Sequence, residues 1–282
     1  MRSAAGPSHP LALEVAAAAE AAQAAAMLIQ GVYQREVAVQ WKAPADPVTQ
    51  ADQAANALLI ARLQQQFPDD AICAEESPGE EARQAARRGG RCWFIDPLDG
   101  TREFIRKSGE FCVMVGLAVA GRPVLGVIVA PVWQRTFCGV VGQGAWEVTA
   151  AGTCQSLRVG KGRAAADARV VLSRLHRNAI VDAAVERLGI RDIRQCGSTG
   201  LKFMLVAAGE VDLFIHAEPA GYTGAGPQLW DGCAPEAIAL AAGAVVTDAK
   251  GQKLRYDTDH LPLDGGIIVG ARDWAAAAPA AL

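Results

Sequence analysis

The run from Phe111 to Val148 does most to limit what this chain can fold into. FCVMVGLAVA and PVLGVIVA are apolar segments of strand character, parted only by Gly121-Arg122, and so short a connection predicts an antiparallel hairpin. TFCGVV and GAWEV extend it into a meander. Upstream, Leu11, Val15, Ala18, Ala22 and Leu28 recur at helical spacing over 11–30, with Gly31 as the expected stop. A second helix is predicted from Val48 to Phe67, ended by Pro68. AICA at 71–74 and RCWFI at 91–95 read as short strands around a polar helix, PGEEARQAARR. The first half, 11–150, is therefore expected to be an α+β unit with helices against a mainly antiparallel sheet.

Past a Gly/Ala/Lys-rich connection at 150–167 the pattern changes. ARVVLS, DIRQC, VDLFIHA and AVVTDA alternate with helical segments NAIVDAAVERLG, GLKFMLVAAG and DGCAPEAIALAAGA. That alternation predicts a second α/β layer over 151–282, completing a site begun in the first half. The Ala-rich tail at 275–282 is expected to close a last helix.

Composition narrows the function. The net charge of -3 offers no basic surface for a nucleic-acid polymer. Glu14 and Glu20 interrupt the Ala-rich N-terminal stretch, and no run is expected to be long and apolar enough for stable membrane insertion. Seven cysteines, an odd number with no CxxC pair, point to free, mostly buried thiols in a reducing cytoplasm rather than to zinc or disulfides. His9, His176, His216 and His260 are scattered, which argues against a hydrolase triad.

The segment richest in chemistry is Asp96-Pro97-Leu98-Asp99-Gly100-Thr101, directly behind the apolar WFI. Two carboxylates leave the end of a strand where a helical turn can start, and free amides at such a start bind phosphate oxygens. Acids and phosphate on one turn repel each other unless a divalent cation lies between them. Glu75-Glu76 follows AICA one helix earlier, so neighbouring strand ends can deliver it to the same edge. Asp231 precedes a helical run in which Pro235 fits the first turn; it reads equally as an N-cap or as a further metal ligand. Thr49 and Asp52 have capping-box spacing, with Thr101 as a second partner for Asp52 under the functional reading.

In this order, DPVTQAD, AEES, WFIDPLDGTREFI and WDGCAPEAIALAAGA resemble the signatures of the inositol monophosphatase superfamily, over about residues 11–275. The resemblance implies a layered αβαβα sandwich and a lithium-sensitive, Mg2+-dependent phosphatase. REFI after DPLDGT, SRLH at 173–176, Lys202 within GSTGLK, and CAPE after Trp230-Asp231 are similar to the 3'(2'),5'-bisphosphate nucleotidases of the CysQ type. Those enzymes convert 3'-phosphoadenosine 5'-phosphate, a by-product of sulfate assimilation, to AMP and phosphate. By resemblance, Glu75, Asp96, Asp99, Asp231 and the Leu98 carbonyl hold two or three Mg2+, and Asp52 with Thr101 activates water. Gly100, Thr101, Ser198, Lys202 and Asp231 are then the expected substrate contacts, with Lys202 either a surface residue or a partner for a second phosphate. The small partner is a nucleotide bisphosphate, and a homodimer stays open. The alternatives are an inositol monophosphatase, a sugar bisphosphatase, or a catalytically silent metal- or phosphate-binding regulator. The Gly-rich stretch at 217–229 departs from the family pattern, while 248–257 fits its closing strand and turn.

Overall fold

A computed structural model describes residues 10–35, 39–43, 46–88, 90–219, 222 and 226–282. Much of the Gly-rich stretch, at 220–221 and 223–225, lies outside the described residues, as does His9. The helices α1 (Ala12–Tyr33) and α2 (Gln50–Gln66) flank a two-stranded antiparallel ribbon, β1 (Val39–Ala43) and β2 (Asp46–Thr49). Gly31 lies inside α1 and does not stop it, since a helical glycine costs only about 1 kcal/mol against alanine and the surrounding packing exceeds that. α1 is also long and apolar enough, by length and a mean hydropathy of 1.4, to cross a membrane, contrary to the expectation for this chain. Half of that window is buried, and Ala18, Ala22, Ala25 and Ile29 pack toward Leu59 and Leu63 of α2 and the sheet below, so α1 serves as a core helix.

The first sheet has the order β3-β4-β5-β6-β7-β8-β9. It comprises β3 (Ala71–Ala74), β4 (Arg91–Asp99), β5 (Cys112–Val119), β6 (Arg122–Ala130), β7 (Arg135–Val140), β8 (Gly144–Thr149) and β9 (Cys154–Leu157). β3 and β4 are parallel, joined by α3 (Gly79–Arg87), and every later neighbour pair is antiparallel. The β5–β6 turn is Ala120-Gly121, both at positive φ, one residue earlier than the expected Gly121-Arg122. Two successive left-handed residues match the strand twist of a tight hairpin.

The second sheet runs β11-β10-β12-β14-β13. Its strands are β10 (Arg169–Ser173), β11 (Asp192–Cys196), β12 (Leu213–His216), β13 (Val245–Thr247) and β14 (Ile267–Gly270). The accompanying helices are α5 (Ala179–Arg187), α6 (Thr199–Ala207), α7 (Leu229–Ala241) and α8 (Arg272–Ala281), after the short α4 (Thr101–Ile105) of the first half. The closing strand is thus β14, whereas 248–257 forms turns and irregular chain.

Three apolar clusters show the layering. One joins α1 and α2 to Val113, Val115 and Val127 of the first sheet. The second puts α6 and α7 between Met114 and Ile128 of that sheet and Val171, Phe214 and Val269 of the other. The third packs α5 and α8 on Leu172, Leu213 and Ile268. The fold is therefore an αβαβα sandwich, as expected. Alternation along β5, with Val113 and Val115 in one cluster and Cys112 and Met114 in the other, marks a sheet covered on both faces.

One detail of the middle layers positions the site. Gly116, Gly126 and Gly139 are direct register partners across β5, β6 and β7. A Cβ on them would come within 2.6 Å of the Ala234 nitrogen, 2.1 Å of the Ala234 carbonyl oxygen and 2.7 Å of the Ile238 Cα. The three form a bare track on which the backbone of α7 rests directly on the sheet.

Candidate active site

β4 leaves its regular pairing at the acids. Asp96 pairs with Met114 and Asp99 with Cys112, so three steps on β4 face two on β5. That extra residue is a bulge. Residues three apart in a regular strand face opposite sides, and the bulge brings Asp96 and Asp99 to the same one. The Leu98 amide donates to Asp96 Oδ1 at 2.9 Å and tightens the turn. Gly100 follows at φ 97°, where a Cβ would meet the Glu110 carbonyl oxygen at 2.8 Å, so glycine is required before α4.

Asp231 arrives from the other side, on the first turn of α7. The helix starts at Leu229 with Gln228 as N-cap, so Asp231 is its third residue and not the cap. Its Oδ2 accepts from the Gln228 amide at 2.6 Å, and Pro235 stands inside the helix, beyond the first turn where it was expected. The missing Pro235 N–H leaves the Asp231 carbonyl without its usual intrahelical donor. Oxygens of Asp96, Asp99 and Asp231 all lie within 4.8 Å of one another. Glu75, one residue beyond β3, hydrogen-bonds Asp96 from the neighbouring strand end.

Packing these acids together makes Asp96 and Asp231 hard to ionise. Burial first, then Glu75, Asp99 and Asp231, push Asp96, only 1% exposed, well above the usual carboxylate range. Burial and Asp99 push Asp231 up to about 7. Such a cluster suits a cation that replaces the protons. The donors are all oxygen, which fits a hard divalent ion such as Mg2+.

Asp52 makes both contacts weighed for it. Its Oδ2 accepts from the Thr49 amide at 2.8 Å in a capping box at the start of α2, while Oδ1 accepts from the Thr101 hydroxyl at 3.1 Å. Thr101 Oγ1 also lies 3.2 Å from the Leu98 carbonyl oxygen. Burial raises Asp52 above its ordinary range, although the bonds from Thr49 and Thr101 oppose it.

Ser198 is fully buried as the N-cap of α6, its hydroxyl donating to Asp99 and accepting from the Leu201 amide. Lys202 is 2% exposed and thus no surface residue. Its Nζ lies 3.3 Å from the Gly197 carbonyl oxygen and 5.3 Å from the centroid of the Phe214 ring. Burial lowers its pKa, while Cys196, Asp99, Asp231 and Glu110 favour the charged form. His176 is lowered too, by burial and then by the positive fields of Lys202, His216 and Arg102. Lys202 therefore stands within the field of Asp99 and Asp231, with His176 in turn within the field of Lys202.

Some residues of the site give no signal in the sequence. Glu110 accepts from the Gly197 amide at 2.8 Å and from Arg174 of SRLH at 2.7 Å, and buried Glu103 lies 3.7 Å from the same guanidinium. Their partners are 64 or more positions away, beyond any spacing rule. All seven cysteines are free and six are buried, as expected.

The model of the inositol monophosphatase family matches residues 12–281, and the chain belongs to that family of metal-dependent phosphatases. Among its relatives is the 3'(2'),5'-bisphosphate nucleotidase CysQ of Escherichia coli (strain K12), 38% identical over 229 residues, covering 81% of this chain and 87% of the relative. Inositol monophosphatase 2 of Solanum lycopersicum is 30% identical over 84% of this chain and 87% of its own. The crystal structure of CysQ from Bacteroides thetaiotaomicron superposes with a TM-score of 0.75 at 28% identity, covering 92% and 98% of the two chains.

Proposed function

We propose that the chain is a Mg2+-dependent 3'(2'),5'-bisphosphate nucleotidase that hydrolyses 3'-phosphoadenosine 5'-phosphate to AMP and phosphate in the cytoplasm. The observation that carries this reading is a buried lysine, Lys202, in the field of Asp99 and Asp231 of the acid cluster. A monophosphate needs only the acid cluster and its cations. A second phosphate needs a cation of its own, and Lys202, bonded to a single carbonyl, has ammonium hydrogens to offer it.

Glu75, Asp96, Asp99, Asp231 and the Leu98 carbonyl would hold two or three Mg2+. When bound, the ions supply charge neutralisation at the phosphate and a water acidic enough to attack at neutral pH. Thr101 would accept a proton from the attacking water as its own hydroxyl proton passes to Asp52 Oδ1, along the bond already present. The raised basicity of buried Asp52 favours the transfer. The amides of Gly100 and Thr101 steady the phosphate oxygens, and water displaces the ester oxygen directly, without a phosphoenzyme.

The tomato relative supports a second reading, an inositol monophosphatase. Phosphate release from 3'-phosphoadenosine 5'-phosphate, inositol 1-phosphate and fructose 1,6-bisphosphate, with and without Mg2+, separates the readings. The nucleotide should lead, and equal rates on inositol 1-phosphate would remove the nucleotidase reading.

A further inference from the structure

The first turn of α6 meets Asp99 with three donors. Ser198 donates its hydroxyl to Oδ2, the Gly200 amide donates to Oδ2 at 2.7 Å, and the Thr199 amide donates to Oδ1 at 3.1 Å. The Cys112 thiol lies 3.6 Å from the same Oδ2 and 3.5 Å from the Ser198 hydroxyl oxygen. Close approach depends on Gly200, because a Cβ there would stand 3.2 Å from Asp99 Oδ2, 3.0 Å from Cys112 Sγ and 2.4 Å from Met114 Sδ. α6 spans the interior between the two sheets, so these bonds tie a metal-site acid of the first sheet to a helix that also carries Lys202.

We infer that Ser198 is a positioning residue for the metal site, acting through Asp99, and not a substrate contact. Oδ2 accepts twice from α6 and has both lone pairs engaged, whereas Oδ1 accepts once and keeps a lone pair for a cation. Three donors on two oxygens fix both the rotation and the reach of the carboxylate. A metal-binding acid held this way loses less orientational freedom when the ion arrives, and groups behind metal ligands typically change affinity by about 10- to 100-fold. The hydroxyl is the one donor of the three that a side-chain change can remove. The inference rests on the reading of Asp99 as a metal ligand.

The test is calorimetric titration of Mg2+ and of Mn2+ into the full chain without substrate, paired with steady-state kinetics. Ser198→Ala and Ser198→Gly should each weaken metal binding about 10-fold or more, whereas Ser198→Thr should restore it, since threonine keeps the hydroxyl. Glycine is a tolerated N-cap, so Ser198→Gly separates loss of the clamp from loss of the cap. Gly200→Ala, with the hydroxyl intact, should weaken metal binding by crowding Asp99. A raised KM with unchanged metal affinity in Ser198→Gly would make Ser198 a substrate contact and overturn the inference. Unchanged metal affinity and unchanged KM would leave only a helix cap and overturn it equally. Absence of metal binding by the unmodified chain would overturn both this inference and the proposed function, whereas tight binding unaffected by the variants would overturn this inference alone.

Discussion

Asp96 is buried against Glu75, Asp99 and Asp231, and that setting fixes what its neutral isostere does. Asp96→Asn puts a neutral amide where burial and the neighbouring acids already resist ionisation, so the metal-free protein should melt no lower than the parent. Turnover should nevertheless fall to nearly nothing, because one oxygen ligand and its charge are gone. Substantial turnover in the folded variant would rule out the proposed site. Lys202→Ala should raise KM for the bisphosphate more than for 3'-AMP, since its ammonium is assigned to the second phosphate. Equal losses on both would free Lys202 of that role. At this scale the acids themselves are legible, since DPLDGT and WD carry them in plain order. The bulge that turns Asp96 and Asp99 to one face is not, because it appears only as a slip in register against β5. Nor does spacing show that Ser198 faces Asp99, 99 residues away.

Helix α7 brings Asp231 to the cluster, and the glycine track beneath it sets its height. Gly126→Ala would drive a methyl into the Ala234 carbonyl, so α7 must lift. The cost is that of an overpacked core, about 1–3 kcal/mol, readable as a lower denaturant midpoint with an unchanged slope. Metal affinity should fall with it, because Asp231 moves with α7. An unchanged midpoint would show that the helix does not rest on the track. Gly116, Gly126 and Gly139 each look like a mere weakness in a strand, and only strand pairing reveals them as one row. Most elements were legible from apolar periodicity. β14 was not, since four residues behind Gly265-Gly266 show too little alternation to mark a strand. The start of α7 was misplaced because Pro235 suggests a first turn, whereas the helix begins six residues earlier, at Leu229.

Across the whole molecule, the buried acids tie stability to pH. Asp96 lies well above the carboxylate range, and Asp231 and Glu236 are each pushed up to about 7, chiefly by burial. Between about pH 4 and 7 the folded chain keeps protons on these groups that the unfolded chain has lost. The contribution of Asp231 and Glu236 to stability is therefore full near pH 4 and disappears as pH rises through about 7, and that of Asp96 is lost in the same direction. In EDTA, the melting temperature should fall between pH 5.5 and pH 8. Each tenfold change in acidity is worth about 1.4 kcal/mol, so the combined effect is on the order of a few kcal/mol. Mg2+ should flatten most of this slope by taking the place of the protons on the Asp96 cluster. The remainder belongs to Glu236, bonded to the Tyr256 hydroxyl at 2.6 Å, and Glu236→Gln should remove it. A slope that Mg2+ does not change would place the titrating groups outside the metal site.

The two halves were readable because each has its own periodicity, and the αβαβα layering came from the family resemblance, while the close fit of α6 and α7 between the sheets arises only on folding. That fit places an acid cluster beside a buried lysine, and the claim that together they select a bisphosphorylated nucleotide is the central one. Steady-state phosphate release from 3'-phosphoadenosine 5'-phosphate and from inositol 1-phosphate, each with Mg2+ and with EDTA, tests it most directly. The expected result is Mg2+-dependent release with kcat/KM at least about tenfold higher for the nucleotide, about 1.4 kcal/mol of transition-state binding. Equal efficiency on the two substrates, or release that persists in EDTA, would contradict it.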